Sequence, residues 1–144
     1  MSSCTFFGHR NCPSSILSSL KTTIVHLIER HHVDTFYVGN QSSFDRLVFR
    51  TLIQFKEKYT HISISVVLAY ITQKTMIPSE YTLFPEGIEF VPKRIAIPWR
   101  NEWMIRNSEY VVAYLESGFG GTFNAVNYAR KHHKTIIRIH ESES

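Results

Sequence analysis

Short apolar runs alternate with longer amphipathic segments along the whole chain, and few folds accept that rhythm. Cys4 to Phe7 is one such run; Thr35 to Val38, Ile62 to Ala69, Tyr110 to Leu115 and Thr135 to Ile139 are the others. Each has the length and the β-branched or aromatic content of a strand covered on both faces. Between them, apolar residues recur at helical spacing. Ser14 to His31 carries Ile16, Leu20, Ile24 and Leu27 in one stripe, with Pro13 suited to the first turn. Ser43 to Tyr59 carries Phe44, Leu47, Val48, Leu52 and Phe55, and Ser42 with Asp45 has capping-box spacing. Lys93 to Asn107 is helical, with Pro98 opening its main part, and Thr122 to His133 offers Phe123, Ala125, Val126 and Ala129 for packing. Strands alternating with helices are joined by right-handed crossovers, which gives a parallel sheet with helices on both faces. The expected fold is therefore α/β: a Rossmann-like, doubly wound, five-stranded parallel sheet in the order 3-2-1-4-5.

The segment 70–92 interrupts the pattern. Pro78, Pro85 and Pro92 argue against a long helix, and an irregular stretch of that length reads as a lid, a binding loop or a mobile segment. Glu141 to Ser144 is a polar tail. At 144 residues, one domain spanning 1–144 is expected. No apolar run approaches the ~18 residues of a membrane helix. The N-terminus has no basic segment followed by an apolar one, so a cytoplasmic protein without a membrane partner is expected. Cys4 and Cys12 match no zinc spacing and read as reduced thiols. His31-His32 and His132-His133 fall at helix ends, where imidazolium complements the helix dipole; adjacent side chains diverge, so no metal is expected. No cofactor is expected either. The net charge of +4 suits an anionic partner, but the basic residues are scattered along the sequence. That pattern favours a phosphorylated small molecule and leaves nucleic acid as the lesser alternative.

In the order 3-2-1-4-5 the winding reverses between strands one and four, and ligands bind outside the carboxyl ends of the strands at that crevice. Three glycine-bearing loops meet there. Gly8-His9-Arg10 follows strand one; Arg10 is suited to clamp a phosphate and His9 to hydrogen-bond it. Glu116-Ser117-Gly118-Phe119-Gly120-Gly121-Thr122 follows strand four and opens a helix. Its glycines let backbone N–H groups approach an anion, Thr122 adds a hydroxyl, and the helix adds its positive end. It is not a Walker loop, because no Gly-Lys-Ser/Thr follows. Gly39 to Asp45 lies beside them, with Asn40, Ser42 and Ser43 suited to ribose hydroxyls or a second phosphate. Asp45 has a competing use as a cap. Arg100 adds charge from the preceding helix, where it shares a face with Met104; Trp99 and Trp103 are packing residues.

Together, Gly8-His9-Arg10, the stretch Val38 to Asp45 and the stretch Arg100 to Ile105 resemble the SLOG superfamily. That group includes DNA-processing protein A and the Lonely Guy cytokinin-activating phosphoribohydrolases. The resemblance covers the whole chain and is nearest in pattern to small bacterial members. It implies a Rossmann-like fold that binds nucleotides or nucleotide-derived ligands, often as a dimer, so a homodimer is expected. In the phosphoribohydrolase branch an arginine-lysine pair precedes a Pro-Gly-Gly-x-Gly-Thr-x-x-Glu loop. Arg100 matches the arginine, Asn101 replaces the lysine, and Gly120, Gly121 and Thr122 approximate the loop. Asn124 and Ala125 stand in the region of the glutamates, and Ser42 stands where close relatives often have glycine. Cleavage of an N-glycosidic bond passes through an oxocarbenium-like state that a nearby carboxylate stabilises. Without the family glutamate the candidates are Glu116, Asp45 and Glu102, with Glu116 best placed.

A complete phosphate cradle without that glutamate points to a non-catalytic sensor or binding module for a nucleotide or nucleotide-derived ligand. Tyr70, Tyr81 and Phe84 are expected to close over its base. One alternative is a nucleoside monophosphate phosphoribohydrolase or related N-glycosidase, with Glu116 and Asp45 as its catalytic carboxylates. A second is single-stranded DNA binding.

Overall fold

The structure, a computed structural model, describes residues 2–71, 75–116 and 118–141. Ser117 of the glycine loop, residues 72–74 of the segment 70–92 and the last three residues of the polar tail lie outside the described residues. The apolar runs form strands: β1 (Ser2–Gly8), β2 (Val33–Val38), β3 (Ser63–Val67), β4 (Thr82–Leu83), β5 (Tyr110–Tyr114) and β6 (Thr135–Arg138). The amphipathic segments form helices: α1 (Leu17–His31), α2 (Ser43–Lys58), α3 (Lys93–Arg106) and α4 (Gly121–Lys131).

Alternation along each strand sends side chains to two cores. Cys4 and Phe6 of β1, Phe36 and Val38 of β2 and Val112 of β5 face α1 and α2. Leu20, Ile24 and Leu27 of α1 and Val48 and Leu52 of α2 close that layer, all fully buried. Each such Leu or Ile contributes about 1.5–3 kcal/mol relative to exposure. Phe7 of β1, Val67 of β3 and Val111 of β5 face the other way, onto Met104 and Ile105 of α3 and Ala125 and Ala129 of α4. Strands covered on both faces need no polar side, which is why β5 reads as an unbroken apolar run and Thr5 alone interrupts Cys4 to Phe7 of β1.

Every strand pairing is parallel. The sheet corrects the expected five strands in the order 3-2-1-4-5: it has six, in the order β4-β3-β2-β1-β5-β6. The added edge strand is Thr82–Leu83, within the segment expected to be irregular. It pairs with Val66 and Val67 of β3, and the Leu68 N–H donates to the Leu83 carbonyl at 2.9 Å. Two residues are too few to carry a period, so only the pairing partner reveals the strand. Short 3-10 turns at Ser79–Tyr81 and Ile88–Phe90 flank it. Helix α3 starts at Lys93, where helical character is expected to begin, with Pro92 as its N-cap, and Pro98 lies inside it. The proline withdraws one N–H from the ladder, a loss that α3 absorbs early in its length. No helix among the described residues is long and apolar enough to cross a membrane.

The functional consequence of this topology lies between β1 and β5. They are neighbours in the sheet, yet the chain departs from them in opposite directions, into α1 on one face and α4 on the other. The loops after them therefore diverge and leave a crevice at the strands' carboxyl ends.

Candidate functional site

That crevice is a cleft of about 220 Å³. Gly8, His9 and Arg10 line it from the end of β1, and Gly39, Ser42 and Asp45 from the turn into α2. Arg100 and Asn101 enter from α3, and Gly121 and Thr122 from the start of α4. Ile97 and Met104 supply apolar wall. Four chain segments remote in sequence thus share one cavity.

Arg100 dominates its electrostatics. The side chain is only 2% exposed. Its Nη1 donates to the Val67 carbonyl at 3.0 Å and its Nε to Asn101 Oδ1 at 3.1 Å. A guanidinium has five N–H donors, so the remainder are left for the cleft that it lines. Burial pulls its pKa below the ordinary arginine value, and the charge of Asp45 acts in the opposite direction. Asp45 is the counterpart, 8% exposed. Burial pushes its carboxyl above the ordinary aspartate range, while the Gln41 N–H, the Arg100 charge and Ser42 pull it back. Gly39 passes between the two. A Cβ on Gly39 would stand 2.9 Å from Asp45 Oδ2 and 3.4 Å from Arg100 Cζ. Only glycine lets the end of β2 approach both charges this closely.

The capping expectation for α2 is met. The Asp45 N–H donates to Ser42 Oγ at 3.2 Å, and Asp45 Oδ2 accepts the Gln41 N–H at 2.9 Å. The start of α4 is left open instead: no side chain caps it and its first turn holds no acid. Its N-cap, Gly120, has φ 96°, a left-handed conformation suited to glycine. A Cβ on Gly118, Gly120 or Gly121 would meet nothing within 4 Å, so there is open space beside this N-terminus.

Several expected site residues are used or placed differently. The Ser43 hydroxyl donates to the Arg10 carbonyl and accepts the Cys12 N–H at 3.3 Å, strapping the loop after β1 to the first turn of α2. Asn40 and Ser43 line a second, wider groove of about 690 Å³ that shares Gly39 and Asp45 with the cleft. Gly118 and Gly120 are not among the cleft-lining residues. Glu116 is not among them either: its carboxylate accepts the Tyr114 hydroxyl, and its N–H donates to His9 Nε2 at 2.6 Å. A ring nitrogen that accepts an N–H carries no proton itself, so in this arrangement Nδ1 is the protonated nitrogen of His9. The aromatic trio does not cover the cleft. Tyr70 packs near Ile88 and Ala96, the Tyr81 ring lies edge-on to Phe49 at 5.7 Å, and Phe84 is exposed.

Sequence reasoning missed Gln41. It lines the cleft, and its Nε2 is buried with no hydrogen-bond partner among the described residues. An orphaned buried donor at a cavity wall is normally satisfied by a ligand or a water. Gln41 lies within the stretch Gly39 to Asp45, but nothing in its spacing marks the amide as unpartnered. Among the described residues, no group of three or more His, Cys, Asp or Glu side chains is arranged to hold a metal ion.

No family model matches the sequence, and no curated protein matches it. Among solved structures, the X-ray structure of DNA processing protein A (DprA) from Streptococcus pneumoniae superposes with a TM-score of 0.67. The two chains are 13% identical over 95% of this one and 50% of that one. This chain has the DprA fold. The chain spans about half the length of this structural neighbour. At that identity the likeness is one of fold alone.

Proposed function

We propose that this chain binds a nucleotide or nucleotide-derived ligand through a phosphate held in the cleft, as a sensor or binding module without catalysis. The buried Arg100 carries the reading, because a guanidinium withdrawn from water and left with spare donors at a cavity wall is poised for an anion. Arg10, the Thr122 hydroxyl and the uncapped start of α4 converge on the same volume. The His9 ring and the Gln41 amide are suited to a sugar or phosphate oxygen. The non-catalytic part rests on the carboxylates. Asp45 is engaged as a cap, and Glu116 is engaged by Tyr114 outside the cleft, so neither stands free beside a bound ribose.

Calorimetric titration of AMP, ADP, NAD and ADP-ribose tests this, with Arg100→Met as the control. Hydrogen bonds to charged groups contribute about 1.5–3 kcal/mol each, so the variant should weaken phosphate binding roughly tenfold to a hundredfold. Absence of binding by the whole panel, or an unchanged affinity in the variant, refutes the proposal. Release of free base from AMP or CMP would favour the N-glycosidase reading instead. The name of the structural neighbour, DNA processing protein A, supports a nucleic-acid reading as well. That reading requires oligonucleotide affinity that falls steeply with salt as counterions are released.

A further inference from the structure

The wider groove beside the cleft is built from the outer face of α2 and the described end of the segment that follows β3. Arg46 and Arg50 stand one helical turn apart on its wall, and both are exposed. Among the described residues the one ion pair joins Arg106 to Glu102, so neither of these arginines is neutralised. Arg46 also sits near the N-terminus of α2, where the helix dipole disfavours a cation. Phe49 lies between the two arginines in sequence, and Met76, 99% exposed, and Ile77 complete an apolar strip. Among the described residues Asp45 is the only acid lining either cavity, and Gly39 and Asp45 stand in the walls of both. Two cationic cavities therefore adjoin across Gly39 and Asp45, with an apolar strip in the second.

We infer that the site takes a nucleotide unit carrying phosphates at both ends of the nucleoside. One phosphate sits at Arg100 and the start of α4, the second sits at Arg46 and Arg50, and the base lies against Phe49 and Met76. This rests on the phosphate reading of the cleft and extends it. Stacking on an aromatic face accepts any base, so the specificity lies in the spacing of the two anions. The same chemistry comes from two sources, a free nucleoside 3′,5′-bisphosphate or one unit of a single strand.

The test is calorimetry on the whole chain with AMP, ADP, adenosine 3′,5′-bisphosphate and a ten-nucleotide single strand, in wild type and in Arg46→Gln/Arg50→Gln. ADP carries its charge at one end only and separates spacing from total charge. The bisphosphate should bind at least about tenfold tighter than AMP or ADP, as expected for one added charge-assisted anion site. The double variant should erase that advantage and leave AMP within about twofold, since both arginines lie outside the cleft that holds the first phosphate. A strand that exceeds the bisphosphate with a steep salt slope identifies the source as nucleic acid; equal or weaker strand binding identifies it as the free bisphosphate. If AMP binds but the bisphosphate is no tighter, or the variant loses AMP and bisphosphate equally, the inference is overturned and the cleft reading stands. If no phosphate compound binds, both fall together.

Discussion

Gly8 ends β1 at the mouth of the cleft, and replacing it by alanine is a sharp test of how that mouth is built. A Cβ there would lie 2.3, 2.4 and 2.6 Å from Cγ, Cδ1 and Cδ2 of Phe44. Ordinary contact begins near 3.4 Å, so the ring must retreat by about 1.1 Å. It has nowhere easy to go, because Phe44 is 0% exposed and packed into the core that holds Val48 and Leu52. Overpacking of this kind costs about 1–3 kcal/mol, and a fully buried ring belongs at the upper end. With ~2.1 cal/mol/K of unfolding entropy per residue, a loss of about 3 kcal/mol lowers Tm by roughly 10 °C in a chain of this length. Phe44 is also the second residue of α2, so its retreat pulls Asp45 and the Gln41 turn away from Arg100. Thermal unfolding of Gly8→Ala, Phe44→Ala and the double variant checks the cause. Phe44→Ala alone should cost about 3–5 kcal/mol, and the double variant should cost about 2 kcal/mol less than the sum, because the new methyl then fills part of the void. A Tm drop under ~3 °C for Gly8→Ala, or strict additivity in the cycle, would show that the ring does not constrain this position.

Asp45→Asn probes the buried carboxyl: burial holds the folded pKa above the unfolded value of about 3.9, so wild-type stability is full below that value and declines as pH rises through the folded pKa. The variant should lack this decline and gain on wild type across that window in urea unfolding curves; parallel curves would contradict the assignment. Gly120→Ala forces a side chain into φ 96° and should cost about 1–3 kcal/mol in chemical denaturation even though its Cβ would find open space; no loss would mean that the turn relaxes freely. Glu116→Gln should leave nucleotide affinity within about twofold, since the carboxylate is engaged by Tyr114 outside the cleft; a loss greater than about tenfold in calorimetry would bring it into the ligand's contacts.

How far the fold was legible follows from what each element reveals in one dimension. β5 was plain because it is buried and every residue is apolar or aromatic, and β1 because Cys4, Phe6 and Phe7 mark its buried centre. β2 starts two residues earlier than expected, at a fully buried Val33 that the polar Asp34 hides from any apolar-run reading. β4 had no signature at all, since its two residues owe their conformation to the edge of β3. The loop convergence was legible because the winding reversal is a property of topology, and topology follows from the alternation. The partners within the loops were not. Ser42 and Ser43 looked like ligand hydroxyls, but Ser42 Oγ accepts the Asp45 N–H, and Ser43 Oγ is held by the Arg10 carbonyl and the Cys12 N–H of the loop after β1. Glu116 looked free at a strand end, yet Tyr114 lies two residues away on the same face and holds its carboxylate. Sequence spacing shows which groups arrive at a place; competition among neighbours decides which remain available.

The charge distribution carries the same lesson into function. Arg10, Arg46, Arg50 and Arg100 are spread over ninety positions and looked dispersed, as a modest net charge of +4 allows. Folding places Arg10 and Arg100 in the cleft and Arg46 and Arg50 in the adjoining groove, with one acid among the described residues, Asp45, lining both. The start of α4 opens into the cleft as a further positive pole. Such a cluster is a self-repelling arrangement in the ligand-free chain, and the fold sustains it by anchoring Arg100 to the Val67 carbonyl and by threading Gly39 between Arg100 and Asp45. Groups held this firmly lose little further freedom when an anion arrives, so more of the electrostatic attraction remains as binding free energy. The same feature explains why Asp45 is kept inside a cationic site. Its charge opposes that of Arg100 and its Oδ2 fixes the Gln41 turn, at the cost of burying a carboxylate.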